Sequence, residues 1–476
     1  MPTTLAAVVM AGGLGTRMRS GLAKHLHPLL GRRMIDWVIA AATPLAADPL
    51  VVVASPETAG AFDGLAVAVQ ERPLGTGDAV RSAREALGEA DAVLVLSGDT
   101  PLITTECLGE LVRVHHDATA AATVLSFVPD DPRSYGRVVR REDGRIAAIV
   151  EAVDATPEQL AIEEVNSSIY VFRGDALWPA VAELTAHNAQ GELYLTDAVR
   201  AIADAGETVA AYVAPDPAET EGVNTRVELA TASAVLRDRI NEAHMLAGVT
   251  IVDPETTWIE PTVTLDADAV VHPFTVLRGA TAVAAGAEIG PHAVAVDAAI
   301  GPGALVGPFC YLRSGTVLGA SSKAGTFVEL KNTSLGEGTK VPHLSYMGDA
   351  EIGDRTNVGA ADRLAVATVG LAVRERLQFD LTEVDAEALG DALGEHGMRA
   401  PREDHQPLLR RERDRVTLLQ GWLRRRMLEA RQRLLNRPCV HRAPPSRPAW
   451  AGIPRAHSRG RRPLRPCLRL STRRLQ

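Results

Sequence analysis

Through the first two hundred residues the chain alternates short apolar runs with Ala- and Glu-rich stretches of helical character. The runs fall at residues 5–10, 51–54, 65–69, 92–96, 121–127 and 168–172. Apolar runs of this length between helical segments predict buried strands of a mostly parallel, Rossmann-like sheet, hence an α/β domain over residues 1–224. In such sheets ligands bind at the carboxyl ends of strands, so polar residues just after each run are the first candidates for chemistry.

After a helix-like stretch at 225–250 the period changes. Ile259, Leu265, Val271, Leu277, Val283 and Ile289 recur every sixth residue, followed by Ile300, Val306, Leu312 and Leu318, then Leu335 and Val341, then Ile352 and Val358. This is a hexapeptide repeat over 251–361, and it predicts a solenoid of short strands with tight corners. The steps from 289 to 300, 318 to 335 and 341 to 352 are each one short of a multiple of six, as single-residue slips at corners would produce.

The first apolar run opens into Met10-Ala11-Gly12-Gly13, with Gly15, Arg17 and Lys24 downstream. A glycine-rich turn brings backbone N–H groups close to an anion, and the two cations add full charge, a combination suited to polyphosphate. The Gly-Lys-Ser/Thr of a P-loop is not there. Gln70 is followed by Gly75-Thr76, and its amide either reads a base edge or caps a turn. Asp99, in Ser97-Gly98-Asp99, is either a metal ligand or a turn cap. Gly136, Glu151 and Asn166 flank later runs, and Asn224 is either a ligand or the N-cap of the helix that follows.

Composition narrows the class. With 46% hydrophobic and 23% charged residues, 476 residues suffice for two or three soluble domains. No apolar stretch approaches twenty residues, so no membrane partner is expected, and the N-terminus reads straight into a strand. Cys107, Cys310, Cys439 and Cys467 lack metal-ligand spacing, which fits a reducing, cytoplasmic setting. The net charge of −9 hides a split: residues 401–476 carry 21 Arg and 5 acids, a local +16, leaving −25 on the remainder.

In order along the chain, GGLGTRM, Gln70 with LGTGDAV, LVLSGDTPL, YGRVV, IVE, EVN, NAQGELYLTD and EGVN resemble the bifunctional bacterial N-acetylglucosamine-1-phosphate uridylyltransferases / glucosamine-1-phosphate N-acetyltransferases. The resemblance implies uridylyl transfer from UTP to N-acetylglucosamine 1-phosphate. In it Arg17 and Lys24 hold the triphosphate and transition-state charge. Met10, Ala11, Gly12 and Gly13 with Gln70, Gly75 and Thr76 hold uridine, beside Ser97 and Gly98. Gly136, Glu151 and Asn166 bind the sugar, and Asp99 and Asn224 coordinate Mg²⁺. Two departures are Ala23 before Lys24, where the family usually has Pro, and Ser168, where it usually has Gly.

For the hexapeptide region the resemblance implies a left-handed parallel β-helix that forms a homotrimer and acetylates glucosamine 1-phosphate from acetyl-CoA. His343 is the expected general base, Arg313 and Lys331 the phosphate ligands, Tyr346 and Asn357 further substrate residues, and Ala360 an acetyl-CoA residue. At Ala360–Ala361 the resemblance stops and the family's later rungs are missing. Uridylyl transfer is therefore expected intact and acetyl transfer incomplete. A pyrophosphorylase for another sugar nucleotide and a non-catalytic trimeric scaffold are the alternatives. For 362–476, an acidic helical stretch leading into an Arg- and Pro-rich, partly disordered tail is expected. A reading-frame change, an appended helical module and an RNA-binding tail all remain open for it. Its arginines lack aromatic interleaving, so nucleic acid is not an expected partner.

Overall fold

A computed structural model describes residues 4–13, 15–132 and 134–359, together with the backbone of 363–365. Ala360 and the tail beyond 365 lie outside the described residues.

The principal elements of the first domain are β1 (Leu5–Ala11), α1 (Met34–Ala42), β2 (Leu50–Ala54), β3 (Ala66–Val69), α2 (Thr76–Ser82), β4 (Ala92–Ser97), α3 (Thr105–Asp117), β5 (Ala122–Phe127), β6 (Arg137–Arg140), β7 (Ile146–Val150), β8 (Val165–Arg173), α4 (Gly174–Ala182), α5 (Leu195–Asp204) and β9 (Val209–Val213). The main sheet runs β9-β5-β8-β4-β1-β2-β3, and β6 and β7 form a hairpin off β8. β8 is antiparallel to both its neighbours, whereas the remaining neighbours on this path pair in parallel.

Alternation along β1 explains why both faces are covered. Ala6, Val8 and Met10 join one core with α2, α4 and α5, while Ala7, Val9 and Ala11 join the opposite core with α1 and α3. A strand buried on both faces must be apolar throughout, which is how it reads in sequence.

Helix α6 (Arg226–Leu246) carries the chain into the second domain. Thr225 is its N-cap and forms a capping box with Glu228, so Asn224 is not the cap and its amide stays available to the cleft. Arg239 of α6 donates to the Leu102 carbonyl at 2.7 Å, and fully buried Asn241 donates to the carbonyls of Pro254 and Thr257, each at 2.9 Å. The helix thereby ties the first domain to the first coil of the second.

That second domain is a parallel β-helix. Trp258 pairs with Val276, Val276 with Val294, Val294 with Tyr311, Tyr311 with Glu329 and Glu329 with Tyr346. Each step is 17 or 18 residues, three hexads to a coil. Ile259, Leu277, Ala295, Leu312, Leu330 and Met347 stack as a fully buried interior column. The shortened coils turn at Asp297, Asn332 and Asp349, whose φ values of 48°, 45° and 54° lie where Asn and Asp are tolerated best among residues with a side chain. One boundary moves: Arg363–Ala365 pairs with Tyr346–Gly348, so the ladder extends past residue 361, into the stretch expected to be helical.

Leu330→Ala empties part of the interior column and should cost about 2–5 kcal/mol. Phe327→Ala removes a ring that is 57% exposed and should cost distinctly less. Urea unfolding of the two variants, followed by circular dichroism, checks this order.

Candidate active site

The loop after β1 and the loop after β4 meet at the carboxyl end of the sheet, because β1 and β4 are adjacent parallel strands. Gly98 N–H donates to the Met10 carbonyl at 3.0 Å and locks the two loops together. At that seam Lys24 Nζ bonds Asp99 Oδ2 and, at 2.9 Å, Asn224 Oδ1. Arg17 reaches the same Asn224 oxygen at 2.9 Å, and Ser97 Oγ donates to Asp99 Oδ1 at 2.6 Å. Five residues from three widely separated segments therefore converge on one point.

The electrostatics follow from that geometry. Burial pushes the Asp99 carboxyl pKa up, but the adjacent Lys24 ammonium outweighs it and, with the Ser97 hydroxyl, brings it down to about 2. Asp99 is therefore an anion at neutral pH. A carboxylate and an amide oxygen reaching one cation form a hard-oxygen pair that suits Mg²⁺, which leaves much of its shell to substrate and water. Among the described residues no cluster of three or more His, Cys, Asp or Glu competes as a metal site.

Beside this cluster the expected base-reading residues also assemble. Gln70 is buried, and its Nε2 donates to the Gly75 carbonyl and to Asp78 Oδ2, both at 3.0 Å. A methyl added at Gly12 would overlap Gln70 Oε1, so a side chain there would push the Gln70 amide aside. Gly75 has φ 115° and lies against the backbone of Leu193, and Thr76 Oγ1 accepts from Leu195 N–H at 3.0 Å. The NAQGELYLTD stretch thus walls the Gly75-Thr76 turn.

That wall leads to the expected sugar residues. Glu151 Oε1 accepts from Thr196 Oγ at 3.2 Å, and Asn166 N–H donates to the Gly136 carbonyl at 2.9 Å. Glu151 lies across from Gly136, where an added methyl would come within 3.4 Å of its carboxylate. Burial raises the Glu151 pKa, and the Thr196 hydroxyl opposes the shift while nearby Asp154, Asp197 and Glu192 reinforce it. Asn166 Nδ2 donates to the Tyr170 hydroxyl at 2.7 Å. Ser168 adopts φ 62° at an irregularity in the ladder between Asn166 and Ile169, so the serine takes up the left-handed geometry that favours glycine.

On the β-helix, Arg313 N–H bonds the Leu330 carbonyl, which places Arg313 one coil before Lys331; Lys331 pairs with Gly348. The Tyr346 ring lies over Gly348, because a methyl there would meet its hydroxyl at 2.7 Å. Arg313 is held by Glu329 at 3.0 Å. His343, exposed, stacks on Thr326 and is separated from Tyr346 by the corner at Leu344, φ 50°. Arg313, Lys331 and Tyr346 share one face. His343 is on the preceding face, as is Asn357, which bridges to Lys340.

Several residues of the cleft escaped the sequence reading: His25, Asp78, Tyr170, Thr196 and Glu228. Only Glu228 left a signal, the Thr-x-x-Glu capping box; the others are single polar residues whose partners no motif announces, four and eight residues away for Tyr170 and Asp78 and far away for Thr196.

A family model described as the MobA-like NTP transferase domain matches residues 7–201. The chain is similar to the bifunctional protein GlmU of Corynebacterium aurimucosum, 44% identical over 387 residues, covering 75% of this chain and 80% of that protein. The bifunctional protein GlmU of Streptomyces coelicolor is 47% identical over 382 residues, covering 75% and 79%. That of Mycobacterium tuberculosis is 46% identical over 389 residues, covering 76% and 79%.

Asp99→Ala leaves the Lys24 ammonium, 11% exposed, without its counter-anion and should destabilise the domain by about 3–5 kcal/mol at neutral pH. Because the Asp99 pKa is held at about 2, below its ordinary 3.8, the contribution is complete above about pH 4 and is lost as pH falls through about 2. Denaturant midpoints of wild type and variant, compared across pH, should converge at the acid end.

Proposed function

The chain belongs to the bifunctional GlmU family, and from that premise we propose that residues 1–224 transfer UMP from UTP to N-acetylglucosamine 1-phosphate, giving UDP-N-acetylglucosamine and pyrophosphate. The observation that carries this reading is the convergence of Arg17, Lys24, Asp99 and Asn224 on one point at the carboxyl edge of the sheet. A phosphate oxygen of the sugar 1-phosphate attacks the α-phosphorus of UTP in line, the new P–O bond forms, and the bond to pyrophosphate breaks. No nucleophilic side chain is required, since the work is positioning two polyanions and neutralising their charge.

Lys24 and Arg17 supply positive charge to the triphosphate and to the leaving pyrophosphate. Asp99 and Asn224 would hold Mg²⁺, which supplies further neutralisation of phosphate charge when bound. The Gly12 and Gln70 pocket orients uracil, and Gly136, Glu151 and Asn166 orient the sugar. The product is a cell-envelope precursor for peptidoglycan and lipopolysaccharide.

The second activity is transfer of acetyl from acetyl-CoA to the amine of glucosamine 1-phosphate, forming the amide and releasing CoA thiol. Arg313 and Lys331 bind the phosphate, and His343 takes the amine proton as general base. This half of the reading rests on residues up to Asn357, and its acetyl-CoA end is supported by family membership alone. The chain works in the cytoplasm as a homotrimer through the β-helix.

Pyrophosphate release with UTP, Mg²⁺ and N-acetylglucosamine 1-phosphate tests the first activity: Lys24→Ala should lower kcat/KM at least about 100-fold. Thiol release from acetyl-CoA with glucosamine 1-phosphate tests the second: His343→Ala should abolish it and leave pyrophosphate release unchanged. Absence of pyrophosphate release by the folded wild type would overturn the uridylyl reading.

A further inference from the structure

His25 follows Lys24 in the short helical turn Lys24–Leu26, and its ring is 5% exposed. It lies between the two loops that form the nucleotide side of the cleft. A methyl placed at Gly98 would be 3.2 Å from its Cδ2, and one at Gly13 would be 4.0 Å from its Cε1. Those two carbons flank Nε2, so the Nε2 edge is the part of the ring turned toward both loops.

The two ring nitrogens are in different situations. Nδ1 is sealed from solvent with no hydrogen-bond partner among the described residues, a state not found for Nε2. Burial, opposed by Asp99 and assisted by Lys24, pulls the imidazole pKa down to about 4, so the ring is neutral at neutral pH and carries one proton. An orphaned buried N–H is rarer in native proteins than an under-satisfied acceptor. That rule assigns the proton to Nε2 and the bare lone pair to Nδ1.

His27, two residues on, is a useful contrast. Its Nδ1 lies 3.3 Å from Arg226 Nη1, its Nε2 is the sealed atom, and its ring joins the loop to α6. His27 is committed to that structural contact; His25 has no such partner among the described residues.

We propose that His25 is a nucleotide-binding residue whose Nε2–H donates a hydrogen bond to an oxygen of the bound nucleoside triphosphate. The inference rests on the uridylyl reading of this cleft. It gives a function to a buried imidazole whose unpaired Nδ1 costs stability.

Calorimetric titration of UTP with Mg²⁺ into the full-length protein tests it on wild type, His25→Leu and His25→Gln. Losing one hydrogen bond to the ligand should weaken UTP binding by about tenfold in His25→Leu, with thermal stability equal to or above wild type. In His25→Gln, whose amide N–H₂ can occupy the Nε2 position, binding should return to within about threefold of wild type. Unchanged UTP affinity in His25→Leu, or a Gln variant as weak as the Leu variant, would overturn the proposal. Pyrophosphate release by wild type, measured separately, shows whether the uridylyl reading itself stands.

Discussion

The first domain depends on one ammonium group in a place where a charge cannot stand alone. Lys24 and Asp99 are 11% and 15% exposed, and at such burial the cost of desolvating an ion is met only by close, well-directed partners. The partners come from the loop after β1, the end of β4 and the segment before α6, so that one contact fixes three parts of the chain. The same contact holds two hard oxygens in place around a cation. The contact that stabilises the cleft thus also gathers the cations and hard oxygens that the proposed reaction requires.

A different constraint shapes the β-helix. Each coil is too small to bury its own apolar side chains, so every hexad places one residue inward and stacks it on the coils before and after. Uniform stacking sets side chains one coil apart into columns. This is how Arg313 comes to lie one coil before Lys331, and Lys331 one coil before Gly348, without any local sequence signal beyond the period. Helix α6 joins the two constraints: its capping box leaves Asn224 free for the cleft, and Asn241 fixes its far end to the first coil.

Much of this was legible in the chain. Strands buried on both faces announce themselves as apolar runs, and the period of six gave the coil even where slips interrupted it. The slips themselves became intelligible only as a column of Asp and Asn corners. Asp99 and Asn224 stood out because one follows an apolar run and the other precedes a helix, and Lys24 because it follows the glycine-rich turn; the residues alone left Asp99 and Asn224 open between ligand and cap, and their roles came from the family resemblance. His25 and Thr196 were not readable, because their meaning comes from neighbours far away in sequence: Gly98, which crowds His25, and the carboxylate that Thr196 steadies. Ser168 was misleading in the other direction, since a residue with a side chain took up a backbone geometry that usually belongs to glycine.

Asp99 and Asn224 are proposed as a cation site coupled to the triphosphate. The direct measurement is the affinity of the protein for UTP with and without Mg²⁺, by calorimetry, in wild type and Asn224→Ala. The account predicts that Mg²⁺ tightens UTP binding at least about tenfold in wild type, a coupling of about 1.4 kcal/mol, and that Asn224→Ala loses most of this coupling. UTP binding indifferent to Mg²⁺ in wild type, or coupling that survives in Asn224→Ala, would contradict it.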